Sequence, residues 1–173
     1  MIPLLLEPLT PQAFAPFGDV IQRQGNDSFP INQGSTQRYH DLGSIQVAGQ
    51  GGRAAISVAV GDAFAFPITI RLLERHPLGS QAWLPWNRLP YVVVVAPNGA
   101  DDTPDETQLR AFLAQGDQGV NYHAGTWHHP LLSLHDGSEF IVVDRLGNEP
   151  NCDERNLQRT YSIQGADTIQ PTP

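Results

Sequence analysis

No lysine occurs in this chain of 173 residues; all ten basic residues are arginines. That absence excludes a lysine Schiff base and a lysine general base. Arginine is a poor base but a good bidentate clamp for carboxylates. A site here would therefore pair Arg for recognition with His or Glu for proton transfer. Cysteine is nearly absent too. The single Cys152 excludes an intrachain disulfide and fits a reducing cytosol. Its neighbours Asp153 and Glu154 are expected to raise its pKa and blunt its reactivity. No apolar run approaches membrane-spanning length. Residues 1–6 are apolar but few, lack a basic flank and reach Glu7 and Pro8 at once. They read as neither a signal peptide nor a span, so a cytoplasmic location is expected. The net charge of −8 argues against a nucleic-acid partner. A local Arg cluster still admits a small anionic substrate. Ser-His-Asp signatures, glycine-rich phosphate loops and Cys-x-x-Cys pairs are also missing.

What is present is punctuation. Gly and Pro number 16 and 15, which favours many short strands and turns over long helices. The length suits one domain with a real core. We assign it to residues 1–163, with 164–173 as a loose tail. Thr10 followed by Pro11 reads as a helix N-cap, with Gly18 as the stop. A second helix is expected after Thr103-Pro104. There Leu109, Phe112 and Leu113 are spaced for one helical face, and Gly116 ends it. Strands are expected at 19–22, 53–60, 68–76, 81–86, 91–96, 119–123, 127–134 and 139–145. The run Tyr91–Ala96 is continuously apolar, as a strand covered on both faces would be. Residues 26–34 read as a polar loop. The pattern fits a mainly β barrel or rolled sandwich with about two short helices. Small barrels can enclose one ligand.

Four of the six histidines fall in two stretches, His76-Pro77-Leu78-Gly79-Ser80-Gln81 and Asn121-Tyr122-His123-Ala124-Gly125-Thr126-Trp127-His128-His129-Pro130. Histidines gathered at strand ends suggest metal binding, proton transfer, or both. Ile68, Ile70, Leu72, Glu74 and His76 fall at period two, hence on one face of a strand. Glu74 and His76 then mark either the mouth of a pocket or simply the frayed strand end. If His128 faces inward, His129 faces outward on the same strand and either is structural or supports the site from behind the residues that form it. His135 precedes Asp136-Gly137 and reads as a solvated hairpin residue. Arg38-Tyr39-His40-Asp41 reads either as a loop that covers the pocket and supplies an Arg clamp, or as a solvated turn with a local ion pair. Arg71 and Arg75 are expected to be structural.

Two motifs resemble those of cupin barrels, His-x-His-(three or four residues)-Glu and Pro-x-Gly-x-x-His. Glu74-Arg75-His76, four residues, then Gln81 resembles the first, and His123-Ala124-Gly125-Thr126-Trp127-His128 the second. By that match the metal positions are Glu74, His76, Gln81 and His128, an N/O set suited to a first-row divalent ion. Gln81 in place of Glu weakens the set.

Several longer strings resemble the bacterial ureidoglycolate lyase family. They are Phe17-Gly18-Asp19-Val20-Ile21, Arg38-Tyr39-His40-Asp41-Leu42, Glu74-Arg75-His76-Pro77-Leu78-Gly79-Ser80-Gln81-Ala82, residues 119–131, Val143-Asp144-Arg145 and Asn151-Cys152-Asp153. The resemblance implies a cupin-like barrel, a homodimer, no organic cofactor, one divalent metal with nickel as the associated ion, and the splitting of (S)-ureidoglycolate into glyoxylate and urea. It accords with a chain that lacks nucleophile motifs, because the elimination needs only a base and an acid. On that reading His123 or His76 takes the hydroxyl proton, and Glu74 orients a histidine or acts as the acid. Arg38 clamps the carboxylate, and Tyr39, Gln81 and Asn121 bind the urea group. The alternatives are another cupin-like enzyme acting on a small 2-oxo or 2-hydroxy acid, and a non-catalytic barrel that binds a small anion.

Overall fold

The computed structural model describes residues 1–165. The residues beyond, most of the expected tail, lie outside the described part; within it, Gln164 Nε2 donates to Ser162 Oγ at 2.9 Å. The strands are β1 (Ile2–Pro3), β2 (Leu6–Pro8), β3 (Gly18–Ile21), β4 (Ser28–Ile31), β5 (Thr36–Tyr39), β6 (Arg53–Gly61), β7 (Ile68–Arg75), β8 (Gln81–Pro85), β9 (Tyr91–Ala96), β10 (Arg110–Ala114), β11 (Gly119–Tyr122), β12 (Trp127–His128), β13 (Leu132–Ser133), β14 (Ser138–Leu146) and β15 (Asp153–Ile163). The single α-helix among the described residues, α1 (Pro11–Phe14), starts as expected: Thr10 Oγ1 accepts the Ala13 N–H at 3.2 Å, and Pro11 takes the first helical position.

One sheet runs β1-β15-β7-β12-β9-β10-β2, with β13 also on β9; a second runs β3-β11-β8-β14-β6. Leu6 and Ile163, from strands near opposite ends of the first sheet, share one apolar cluster. The sheet therefore curls on itself. A second cluster fills the space between the two sheets, with Val93, Val95 and Phe112 from one and Val20, Val120 and Phe140 from the other. β9 is buried along its whole length and feeds both clusters, Val92, Val94 and Ala96 on one side and Tyr91, Val93 and Val95 on the other. The mainly β rolled architecture expected from the sequence is the one that forms.

Four local expectations are corrected. The helix after Pro104 is absent; Glu106–Gln108 forms one 3₁₀ turn, and Arg110–Ala114 is a strand between β9 and β2. Ala111 enters one core and Phe112 the other. A short apolar run buried on both faces carries no period that separates strand from helix. Second, residues 26–34 are not merely loop, because β4 pairs with β5 as a hairpin. Third, β7 does not keep one apolar face. Ile68 and Ile70 are buried, then Leu73 rather than Leu72, and the pairing with β15 slips at that point, from Leu72–Asn156 to Ile70–Tyr161. The irregularity changes which residues face inward. Fourth, the expected strand at 127–134 is broken into β12 and β13. His135 is exposed beside its turn, as expected.

Phe112 is fully buried and its ring lies 5.8 Å from that of Phe14 and 6.5 Å from that of Phe17. Phe112→Ala should cost about 3–5 kcal/mol. A urea-denaturation midpoint close to that of the wild type would contradict this packing.

Candidate active site

β7 and β12 are neighbours, with His128 opposite Glu74. Trp127 belongs to the core inside the curl, so His128 points to the other face, between the sheets. There its ring stacks on Tyr122 at 4.1 Å and 12°. Glu74 Oε1 stands 3.5 Å from His128 Nε2 and 3.9 Å from His76 Nε2. The ligand atoms of these three residues lie within 4.8 Å of one another.

The backbone sets the imidazoles. His76 Nδ1 lies 2.6 Å from the Asn151 carbonyl, and His128 Nδ1 lies 2.9 Å from the Thr126 carbonyl. A carbonyl only accepts, so each Nδ1 carries the proton and each Nε2 keeps a lone pair. Both Nε2 atoms are buried and make no hydrogen bond. Buried polar atoms are rarely left so. Two aimed lone pairs and a carboxylate are a donor set that fits a divalent cation, with the carbonyl bonds as its outer shell.

Burial pushes the Glu74 carboxyl up, but the neighbouring imidazoles of His128, His76 and His129 outweigh it and hold it below its ordinary range. Burial pushes the Tyr122 phenol far up, with Glu74 adding to the effect. Cys152 sits at the rim, its Sγ 3.9 Å from Glu74 Oε2. Burial, then Glu74, Glu154 and Asp153, raise its pKa, in the direction expected.

Two cavities border this cluster. One of about 10 Å³, room for one water-sized particle, is lined by Glu74, Gln81, Tyr122, His128 and His129 among others. The other, about 300 Å³, is lined by His76, Ser80, Asp144, Arg145, Asn151 and Cys152 among others. Of the four positions picked out by cupin-like spacing, Glu74, His76 and His128 thus come together. Gln81 joins Glu74 and His128 on the small cavity, with its Oε1 accepting from Trp83 Nε1 at 2.8 Å. His129 lines that cavity too, contrary to the outward placement expected, because β12 stops at His128 and alternation with it.

The other predicted residues lie elsewhere. His123 Nε2 pairs with Asp19 Oδ1 at 3.2 Å, and Asn121 Nδ2 donates to Asp19 Oδ2 and to the Ser44 carbonyl. Asn121 and Asp19 alternate with the inward Tyr122 and Val20, so this group occupies the opposite face of its sheet. Arg38 and Tyr39 are on the β4–β5 hairpin and line neither cavity at the cluster; Arg38 is exposed and makes no pair with Asp41.

The cationic group at the larger cavity is Arg145, overlooked in the sequence. Its side chain is fully buried. It donates from Nε to the Ala48 carbonyl and from its two terminal nitrogens to the Glu149 carbonyl and Oε2. Gly49, Gly52, Gly79 and Gly147 surround it: a Cβ on any of them would come within 3.0 Å of its side chain. That glycine set was the signal available. Arg75 is structural, as expected. It lies 4.6 Å over the Trp127 ring and holds Asp102 and Asp153.

A profile of the ureidoglycolate lyase family matches residues 1–164. The Azotobacter vinelandii protein named ureidoglycolate lyase is 54% identical over 151 residues, 87% of this chain and 90% of that one. Its namesake in Pseudomonas savastanoi pv. phaseolicola is 51% identical over 170 residues, covering 98% and 96%. The chain belongs to the ureidoglycolate lyase family. Among solved structures, Bacillus subtilis oxalate decarboxylase, a protein with Mn(II) centres, matches 65% of this chain and 29% of its own. The TM-score is 0.36 and the identity 12%, a likeness too slight to place any residue.

Two outcomes are expected of this family member. Gly79→Ala sets a Cβ 2.5 Å from Arg145 Cβ and should cost about 1–3 kcal/mol through overpacking; an unchanged melting temperature would refute the cage. Burial lowers the His129 pKa below its ordinary 6.5. The unfolded chain then binds the proton more tightly, so this contribution is complete above 6.5 and is lost as pH falls through the folded value. His129→Asn should lose less stability than the wild type between pH 7.5 and 5.

Proposed function

We propose that this protein is a ureidoglycolate lyase, splitting (S)-ureidoglycolate into glyoxylate and urea in the breakdown of allantoin for nitrogen. The observation that carries the chemistry is the pair of buried, unpartnered imidazole Nε2 atoms facing Glu74 beside a cavity large enough for the substrate. The substrate carbon bears a hydroxyl, a carboxylate and the ureido nitrogen. The hydroxyl loses its proton, the C–N bond breaks, and the nitrogen gains a proton. No water is consumed and nothing is oxidised.

His76 is the proton carrier. Its Nε2 lone pair takes the hydroxyl proton, Glu74 stabilises the resulting imidazolium, and the same proton passes to the departing nitrogen. His123, the other candidate, is occupied at Asp19. Arg145 takes the carboxylate role that the sequence offered to Arg38. Three of its five N–H donors are used within the protein.

Glu74, His76 and His128, with Gln81, fit a divalent ion, nickel being the one associated with the family. When bound, such an ion supplies Lewis-acid polarisation of substrate oxygens. His76 Nε2 has one lone pair, which serves the ion or the proton. The cavities divide these tasks: Glu74, Gln81 and His128 line the ion-sized one, and His76 lines the larger.

Residues 1–163 form one domain on this reading, and the protein works as a cytoplasmic homodimer. Among the described residues no helix is long and apolar enough to cross a membrane. β6 is an edge strand of nine residues whose Ile56, Val58 and Val60 are 77%, 60% and 67% exposed, which supports it as the dimer face.

Purified protein given racemic ureidoglycolate should release urea and glyoxylate in equal amounts, faster than spontaneous decay. His76→Asn should lower turnover by about 100-fold or more while leaving the fold intact. Full turnover in folded His76→Asn would dismiss this assignment. Loss of activity on chelation, restored by a divalent ion, would put a metal in the working enzyme. Val58→Arg should shift the sedimenting species from dimer to monomer.

A further inference from the structure

Asp144 precedes Arg145 on β14 and lines the same 300 Å³ cavity. Its neighbour Val143 stands opposite Ala82, so Asp144 stands at the register position beside Gln81. Its Oδ1 is closed off from solvent and accepts no hydrogen bond, and among the described residues the carboxylate has no ion-pair partner. A buried carboxylate oxygen without a donor is costly. Donors that arrive with a ligand would remove that cost.

Three other side-chain oxygens of the cavity are engaged. Ser80 Oγ accepts the Gln46 N–H, Asn151 Oδ1 accepts the Leu78 N–H, and Glu149 Oε2 holds Arg145. On the lyase reading, Arg145 and His76 are assigned the carboxylate and the hydroxyl of the three polar groups on the substrate carbon. The ureido group brings N–H donors and needs an acceptor.

We propose that Asp144 is the ureido-binding residue. Its two oxygens accept the two N–H bonds that lie side by side on a ureido group, one from each nitrogen, in the paired geometry by which carboxylates meet planar donors. The inference rests on the lyase reading and deepens it, because Asp144 then determines specificity. A site built to satisfy a buried acceptor rejects hydroxy acids that lack the donor.

The test is product inhibition. In Asp144→Asn the inhibition constant for urea, and KM for ureidoglycolate, should rise by about ten- to a hundred-fold, with a smaller change in kcat. Inhibition by glyoxylate should be unaltered. An unchanged urea constant, or equal weakening by both products, overturns the proposal. The variant removes the charge from a carboxylate whose Oδ1 is buried without a donor, so its melting temperature should match or exceed the wild type's. The wild type alone supplies a second measure. Ligand-observed NMR should detect binding of urea but not of tetramethylurea, which has no N–H. Equal binding of the two, or none of urea, rejects the role of Asp144. That experiment needs no turnover, so a protein that binds urea yet leaves ureidoglycolate intact would count against the lyase and not against this site.

Discussion

The double burial of β9 is the constraint on which the rest depends. Its side chains alternate between the core inside the curl and the core between the sheets. A shift of one residue would exchange Val92, Val94 and Ala96 for Tyr91, Val93 and Val95, which differ in size and in partners. The register is therefore held from both sides. β12 docks on the end of this strand, Trp127 opposite Ala96 and His128 opposite Val95, and β7 brings Glu74 against His128 from the other side. The 3.5 Å approach of imidazole to carboxylate follows from core packing. It owes nothing to a flexible loop finding its place.

Polar burial is concentrated where this packing ends. The two imidazoles anchor one nitrogen to a carbonyl and leave the other bare, and Arg145 is enclosed in glycines with Glu149 as its counter-charge. These arrangements cost stability unless something completes them. Charges farther off than about 8 Å are screened at physiological salt, so the groups at the cavity count for more than the net −8: Arg145 and His76 stand there beside Glu149 and Asp144.

How much of this was legible depended on how local each signal was. Thr10-Pro11 set a helix start and Tyr91–Ala96 a buried strand, because cap chemistry and a continuous apolar run act within a few residues. Glu74, His76 and His128 were found by spacing along two short segments. β10 was misread because its burial on both faces erases the period that separates helix from strand. β15, the longest strand, was not foreseen: much of it is polar and exposed, and its pairing is broken between Asn156 and Tyr161. Arg145 and Asp144 were passed over for a different reason. What makes them matter comes from elsewhere in the chain, Gly49 and Gly52 on one side and Gly79 and Glu149 on the other. Arg38 attracted attention through its polar neighbours, but β4 and β5 satisfy each other and keep it in solvent.

The chemistry asks for little reactivity and much placement. An elimination that neither oxidises nor adds water needs one proton moved a short way, and an imidazole with its second nitrogen fixed can both take it and return it. Everything else is orientation. The cavity offers a lone pair on His76, a cation on Arg145 and an unpaired acceptor on Asp144, each at the end of a strand or just beyond it. The substrate carbon carries three unlike groups that call for those three partners. Three unlike contacts around one tetrahedral carbon fix its hand, so the features that hold the substrate also choose the enantiomer. Rigidity serves this well, since a site on strand ends loses little order when it binds. The sheets that bury the core thereby also set the direction from which the proton must leave.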